Sequence, residues 1–162
     1  MYMVNNIKSA KGKNGAGFTI IELLVVVAII TVLTGIVLAN ITKYVNRGKN
    51  SAIQGNLSSL LINSAAYFED PALGNGTYAN LCATYMVSGK PIYDAIISAN
   101  GGFSPVCQVN ASNTAWCACS ALMITANDLF CVDSTGTKQK FNDIGGCINI
   151  CTASLAHCFQ LP

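Results

Sequence analysis

From Phe18 to Ile41 the chain runs for 24 residues with a single charge, Glu22, where a helix needs about 20 apolar residues to cross a bilayer. Past Ile41 the unbroken apolar character gives way to a stripe. Val45, Ala52, Ile53, Leu57, Leu60, Leu61, Ala65 and Phe68 recur at helical spacing, the mark of a helix with one covered face. Lys43, Arg47, Lys49, Asn50, Gln54 and Asn56 fall mostly off that stripe. Pro71 ends the pattern just after Glu69 and Asp70, since proline removes a helix donor and restricts the residue before it. No proline interrupts residues 18–69. The pattern therefore predicts one helix from Phe18 to about Glu69, ~78 Å long at about 1.5 Å per residue, and not two helices meeting near Asn46 to Gly48. Its outer half needs a folded head to cover it.

The period changes after Pro71. Residues Pro71–Lys90, with Asn75-Gly76 and Ser88-Gly89-Lys90-Pro91, read as a long connection held by Cys82. Pro91 to Ala99 reads as a short helix, started by proline and stopped by Asn100-Gly101. Four strand-favouring runs follow, "PVCQVN", "AWCACSALMI", "LFCVDS" and "TKQKFN", separated by turn clusters at Ala111–Asn113, Ala126–Asp128 and Thr135-Gly136. The expected fold class is α+β: a long N-terminal helix, part membrane stem and part amphipathic, packed on a small antiparallel sheet. Trp116 is expected in the core or at a contact between subunits. The head then spans 42–162, as amphipathic helix 42–69, connecting loop 70–103, sheet 104–142 and cysteine-rich tail 143–162.

Cysteine placement changes the picture more than charge does. Cys82, Cys107, Cys117, Cys119, Cys131, Cys147, Cys151 and Cys158 all lie on one side of the apolar run. An even number of cysteines in a small head, without paired C-x-x-C knuckles, reads as a disulfide framework in an oxidising compartment. A zinc site on Cys117-Ala-Cys119, or on Cys147, Cys151 and Cys158, is the rival. If the first hairpin turns at Ala111-Ser112-Asn113, Cys107 and Cys117 face each other, and a slip of two residues favours Cys119.

Basic residues flank the apolar run on both sides, Lys8, Lys11 and Lys13 before it and Lys43, Arg47 and Lys49 after, so the flanks leave orientation undecided. The cysteines decide it by placing the head outside. Without the three leading lysines the chain has six bases and seven acids, which gives no basic face for nucleic acid. Thr31, Gly35 and Ala39 stand four apart, the small-residue spacing that lets helices approach closely. Catalytic chemistry is sparse. His157 is the only histidine, and there is no nucleotide loop, metal signature or nucleophile elbow. Neither a metal nor another cofactor is expected.

Glu22 is then the residue that asks for a reason, because a carboxylate near the middle of hydrocarbon costs about 2.5–3.5 kcal/mol on insertion scales, less toward the interface. It either snorkels to the headgroups or meets a positive partner when copies pack together. "KGKNGAG" followed by "FTIIELLVVVAII" resembles the prepilin signal of type IV pilins and type II secretion pseudopilins: a basic leader, Gly17, then Phe18, and glutamate at the fifth position after the glycine. The resemblance implies a cytoplasmic leader, 1–17, cut between Gly17 and Phe18 by a prepilin peptidase, and methylation of the Phe18 amine. It also implies a stem, 18–41, that serves first as membrane anchor and then as filament core. In that filament Glu22 pairs with the Phe18 amine of a neighbouring copy. The implied partners are further copies in a helical homopolymer, a membrane assembly platform and minor pilins, and the implied locations are the cytoplasmic membrane followed by an extracellular filament.

Three functions are compatible with this reading. The first is a structural pilus subunit for adhesion, motility or DNA uptake. The second is a pseudopilin of a secretion or competence system, although the resemblance implies a calcium loop near the C-terminus of major pseudopilins where this tail carries cysteines. The third is a secreted or membrane-anchored disulfide-rich binding module using residues 18–39 as a plain anchor or as an ordinary signal, with Val37-Leu38-Ala39 as the cleavage site.

Overall fold

A computed structural model describes residues 17–125 and 127–159. The leader positions before Gly17 lie outside the described residues, as do Ala126 of the expected second turn and the side chain of Ala39. Two compact units divide at Asn40 and Ile41.

Helix α1 covers Ile20–Glu69 without interruption. Its N-terminal part belongs to the first unit and consists of exposed Ile, Leu and Val side chains. In the second unit the same helix lays one face on the head: Asn50, Ile53, Leu57, Leu60, Ser64 and Tyr67 are buried. Val45, Ala52 and Ala65, expected on that face, are exposed, and Asn50, expected off it, is buried. Two polar residues sit on the stripe because each is satisfied there. Asn50 Oδ1 accepts the Met123 backbone N–H at 2.6 Å, and the Ser64 hydroxyl donates to the Leu61 carbonyl at 2.8 Å.

The chain leaves α1 through a tight turn in which the Gly76 N–H donates back to the Phe68 carbonyl at 2.8 Å. At Gly74 a Cβ would sit 2.2 Å from the Tyr67 carbonyl oxygen, so only glycine fits. The expected loop 70–103 contains a short helix, α2 (Leu81–Tyr85), as well as α3 (Pro91–Asn100). Leu81 is wholly buried against Tyr67, Ile96 and Trp116 in one cluster, and tertiary burial orders a segment whose glycines and asparagines read as loop. Helix α3 starts on Pro91 and ends with Gly101 at φ 81°, the Gly102 N–H reaching the Ile97 carbonyl, a glycine-ended helix of the usual kind.

Four strands form a simple meander in the order β1-β2-β3-β4: β1 (Val106–Val109), β2 (Trp116–Ala121), β3 (Asp128–Asp133) and β4 (Lys138–Asn142). The apolar run Leu122-Met123-Ile124 lies in the β2–β3 turn, and Asp128 opens β3. Both sheet faces are covered. Trp116, Ala118, Phe130 and Val132 pack toward the helices, while Cys117, Cys119, Leu129, Cys131 and Phe141 pack under the tail with Ile150, Cys151 and Ala156. The tail itself has local structure, a short turn of helix α4 (Cys147–Ile150) and a strand-like bridge between Cys151 and Cys158.

The disulfides follow from this alternation. Cys107 stands opposite Ala118, not opposite Cys117 or Cys119. Residues opposite each other share a face, so Cys107 looks toward the helices while Cys117 and Cys119 look the other way, and the expected Cys107–Cys117 bridge cannot form. Cys107 bonds Cys82 of α2 instead. The three cysteines of the opposite face bond the tail, as Cys117–Cys151, Cys119–Cys147 and Cys131–Cys158. No cysteine is left free, so no thiolate is available for zinc.

Candidate assembly site

Gly17, Phe18 and Thr19 precede α1, and Phe18 is 88% exposed. Thr19 and Glu22 close a reciprocal capping box. The Thr19 backbone N–H and hydroxyl both donate to Glu22 Oε2 at 2.8 Å, and the Glu22 N–H donates to Thr19 Oγ1 at 3.3 Å. The only charge of the stem therefore lies in the first turn of α1, where the helix dipole favours an anion, next to the residue after Phe18. Sequence reasoning placed Glu22 here for its charge and missed Thr19, although Thr-x-x-Glu is legible as a cap in "TIIE".

The other polar groups of the stem are turned back into the helix. Thr31 and Thr34 hydroxyls donate to the Ala28 and Ile30 carbonyls at 2.8 and 2.7 Å, and the Asn40 amide donates to the Ile36 carbonyl at 3.1 Å. Such back-bonding removes the cost of free donors in lipid. At Gly35 a Cβ would meet nothing within 4 Å, so its small size is not required by the chain itself. The best 18-residue window of α1 has a mean hydropathy of 2.9 and none of it is buried. The surface is one continuous apolar sleeve, long and apolar enough to cross a membrane.

The head contains one further charged constellation, which the sequence did not announce. Asp133 is 1% exposed at the end of β3. Its Oδ1 accepts the Thr135 hydroxyl at 2.5 Å and the backbone N–H groups of Thr135 and Thr137 at 2.9 and 3.3 Å, and its Oδ2 accepts the Cys158 N–H at 2.8 Å. Burial alone would raise this carboxyl. The Thr135 hydroxyl and the N–H groups of Cys158, Thr135 and Thr137 outweigh burial and hold it below the usual carboxylate range. His157 Nδ1 lies 3.9 Å from Oδ2, with the imidazole side chain 43% exposed. No serine, threonine or cysteine nucleophile is hydrogen-bonded to His157 among the described residues, and the Cys158 N–H bond to Asp133 ties the tail to the end of β3. Among the described residues no group of three His, Cys, Asp or Glu side chains could hold a metal ion.

Residues 12–38 match the family model described as the prokaryotic N-terminal methylation motif. No curated protein and no solved structure matches the chain. The matched span ends within the stem and covers Gly17, Phe18 and Glu22. That motif is the type IV prepilin signal, and the long helix packed on a four-stranded head with four disulfides is a pilin-like architecture; the two together support the pilin and pseudopilin family.

Proposed function

We propose that the chain is the structural subunit of a type IV pilus filament. The leader is removed after Gly17 at the cytoplasmic membrane, the Phe18 amine is methylated, and the stems of many copies pack into a helical core with the heads outside. The single observation that carries this reading is the one stem charge, Glu22, fixed by its cap at the end of α1 beside the future terminus. A carboxylate there is neutralised by the Phe18 amine of an adjoining copy, a pairing worth most in a low-dielectric core. Thr31, Gly35 and Ala39 line close helix contacts between copies. The disulfide-stapled tail, standing where a secretion pseudopilin would carry a calcium loop, favours a pilus over a pseudopilus. The exported head and apolar stem fit a membrane precursor pool and an extracellular filament.

Glu22→Ala tests the reading. The variant is expected to enter the membrane at wild-type levels or above, and to yield no filaments in sheared-surface preparations. Normal filaments from Glu22→Ala would remove the pairing role.

A further inference from the structure

Resting on the reading of the chain as a filament subunit, we propose that the head carries its own lateral contact: the edge of β1 in one copy pairs antiparallel with the Lys138–Lys140 stretch of the β4 edge in the next. The strand order leaves these two strands as the edges of the sheet. At β1 the Asn110 N–H donates to the Ala115 carbonyl. The alternation of an antiparallel ladder then gives Gln108 and Val106 the bonds to Cys117 and Cys119 and turns the backbone groups of Cys107 and Val109 outward. At β4 the bonds Asp133 N–H to Thr137 and Asp143 N–H to Asn127 fix the opposite parity, with Lys138 and Lys140 turned outward. No other backbone hydrogen bond among the described residues reaches these four residues. The β1 edge thus offers two residues, two apart, β4 presents Lys138 and Lys140 at the same spacing, and the register Cys107 opposite Lys140 and Val109 opposite Lys138 pairs all four.

The surroundings of β1 suit this occupant. A groove of about 630 Å³ runs beside the strand, walled by Met86, Val87, Tyr93 and Ile148 with Val106 and Gln108 along it, and no charged residue lines it. Lys138 and Lys140 lie opposite Val132 and Phe130 in their own sheet, hence on the helix-facing side. In the extended sheet their aliphatic stems cover the α2–α3 wall of the groove, as lysine stems do over apolar surface. Asp94 is exposed, follows the groove residue Tyr93, and accepts the Gly89 N–H beside the groove residue Ser88. It supplies the counter-charge. Edge lysines ordinarily discourage pairing with stray strands; against a groove that no charged residue lines and that Asp94 flanks, they select this partner.

Direction agrees as well. In a four-strand meander β1 and β4 run oppositely, so copies held in the same orientation meet edge to edge antiparallel. The contact uses two different surfaces, so it extends into an open helical array when the rotation between copies does not close, whereas β1 on β1 would stop at a two-fold dimer.

Amide hydrogen exchange on the full chain, as filaments and dispersed in detergent, reads the contact directly. Cys107, Val109, Lys138 and Lys140 amides are expected to exchange at least tenfold more slowly in filaments than in detergent. Lys140→Pro removes an outward N–H at an exposed position, and Val109→Pro removes an outward N–H together with a side chain packed on the core; both are expected to abolish filaments while all four disulfides form. Lys140→Glu is expected to cut filament yield at least tenfold, and Asp94→Lys/Lys140→Glu to restore it. Wild-type filaments with unprotected edge amides, or edge variants that fold and polymerise normally, overturn the pairing alone. A wild-type chain that forms no filaments overturns the filament reading and this inference with it.

Discussion

Asp133→Asn removes the charge of a buried carboxylate and little else. Four hydrogen bonds end on Asp133, three at Oδ1 and one at Oδ2. An asparagine can keep one oxygen toward the Thr135–Thr137 turn, but its amide nitrogen then faces the Cys158 N–H, donor against donor. Hydrogen bonds to charged groups contribute about 1.5–3 kcal/mol and an orphaned buried donor costs about 1–3 kcal/mol; because the two overlap, a net loss of roughly 2–4 kcal/mol is expected. For a head of this size that lowers Tm by on the order of 6–16 °C. The assay is thermal unfolding of the full chain in detergent, followed by near-ultraviolet circular dichroism of the buried Trp116, from pH 7 down to pH 2. The sign with pH is fixed by linkage. Asp133 is held below its unfolded value of about 3.9, so its contribution is complete above that value and is lost as pH falls through the folded-state value, where the unfolded chain binds more protons. Wild type is therefore expected to converge on Asp133→Asn at low pH. Equal Tm values at pH 7, or a gap that persists undiminished at pH 2, would refute the reasoning.

Gly74→Ala is expected to destabilise the head by roughly 1–3 kcal/mol or more through forced displacement of backbone, because the added carbon would lie 2.2 and 2.6 Å from the Tyr67 and Thr77 carbonyl oxygens; denaturant unfolding checks it. Cys119→Ser/Cys147→Ser opens a bridge spanning 28 positions and is expected to cost about 2–4 kcal/mol. In the same variant, limited proteolysis should cut first within residues 143–150, the stretch this bridge fastens to the sheet, and uncut tail would argue that packing of Ile150 holds it without help.

Much of the architecture is legible because its signals are periodic. The apolar run, the absence of proline before Pro71 and the four short runs with turn residues between them mark α1 and the meander, since helix and strand periods differ and glycine and asparagine punctuate them. The glutamate of the candidate assembly site is legible for a related reason, as one charge has no company in an apolar run. What was not legible depends on contacts distant in sequence. Asn50 looks like a solvated residue until Met123 presents its N–H from the β2–β3 turn. The pairing of cysteines turns on whether Cys107 and Cys117 share a sheet face, and a one-residue difference in register reverses the answer. Asp133 reads as an ordinary strand-end acid because its partner Cys158 is 25 positions away. Helix α2 has too few residues to nucleate alone and exists because Leu81 is buried and Cys82 is bonded to Cys107.

In the proposed filament, a carboxylate in the stem is tolerated because processing creates a cation for it on an adjoining copy. Intact mass and N-terminal sequencing of the chain recovered from surface filaments test this most directly. The recovered chain is expected to begin at Phe18 and to carry one additional methyl group on its amine; a start near Asn40, or an unprocessed Met1, would contradict the pairing of Glu22 with a neighbour's amine.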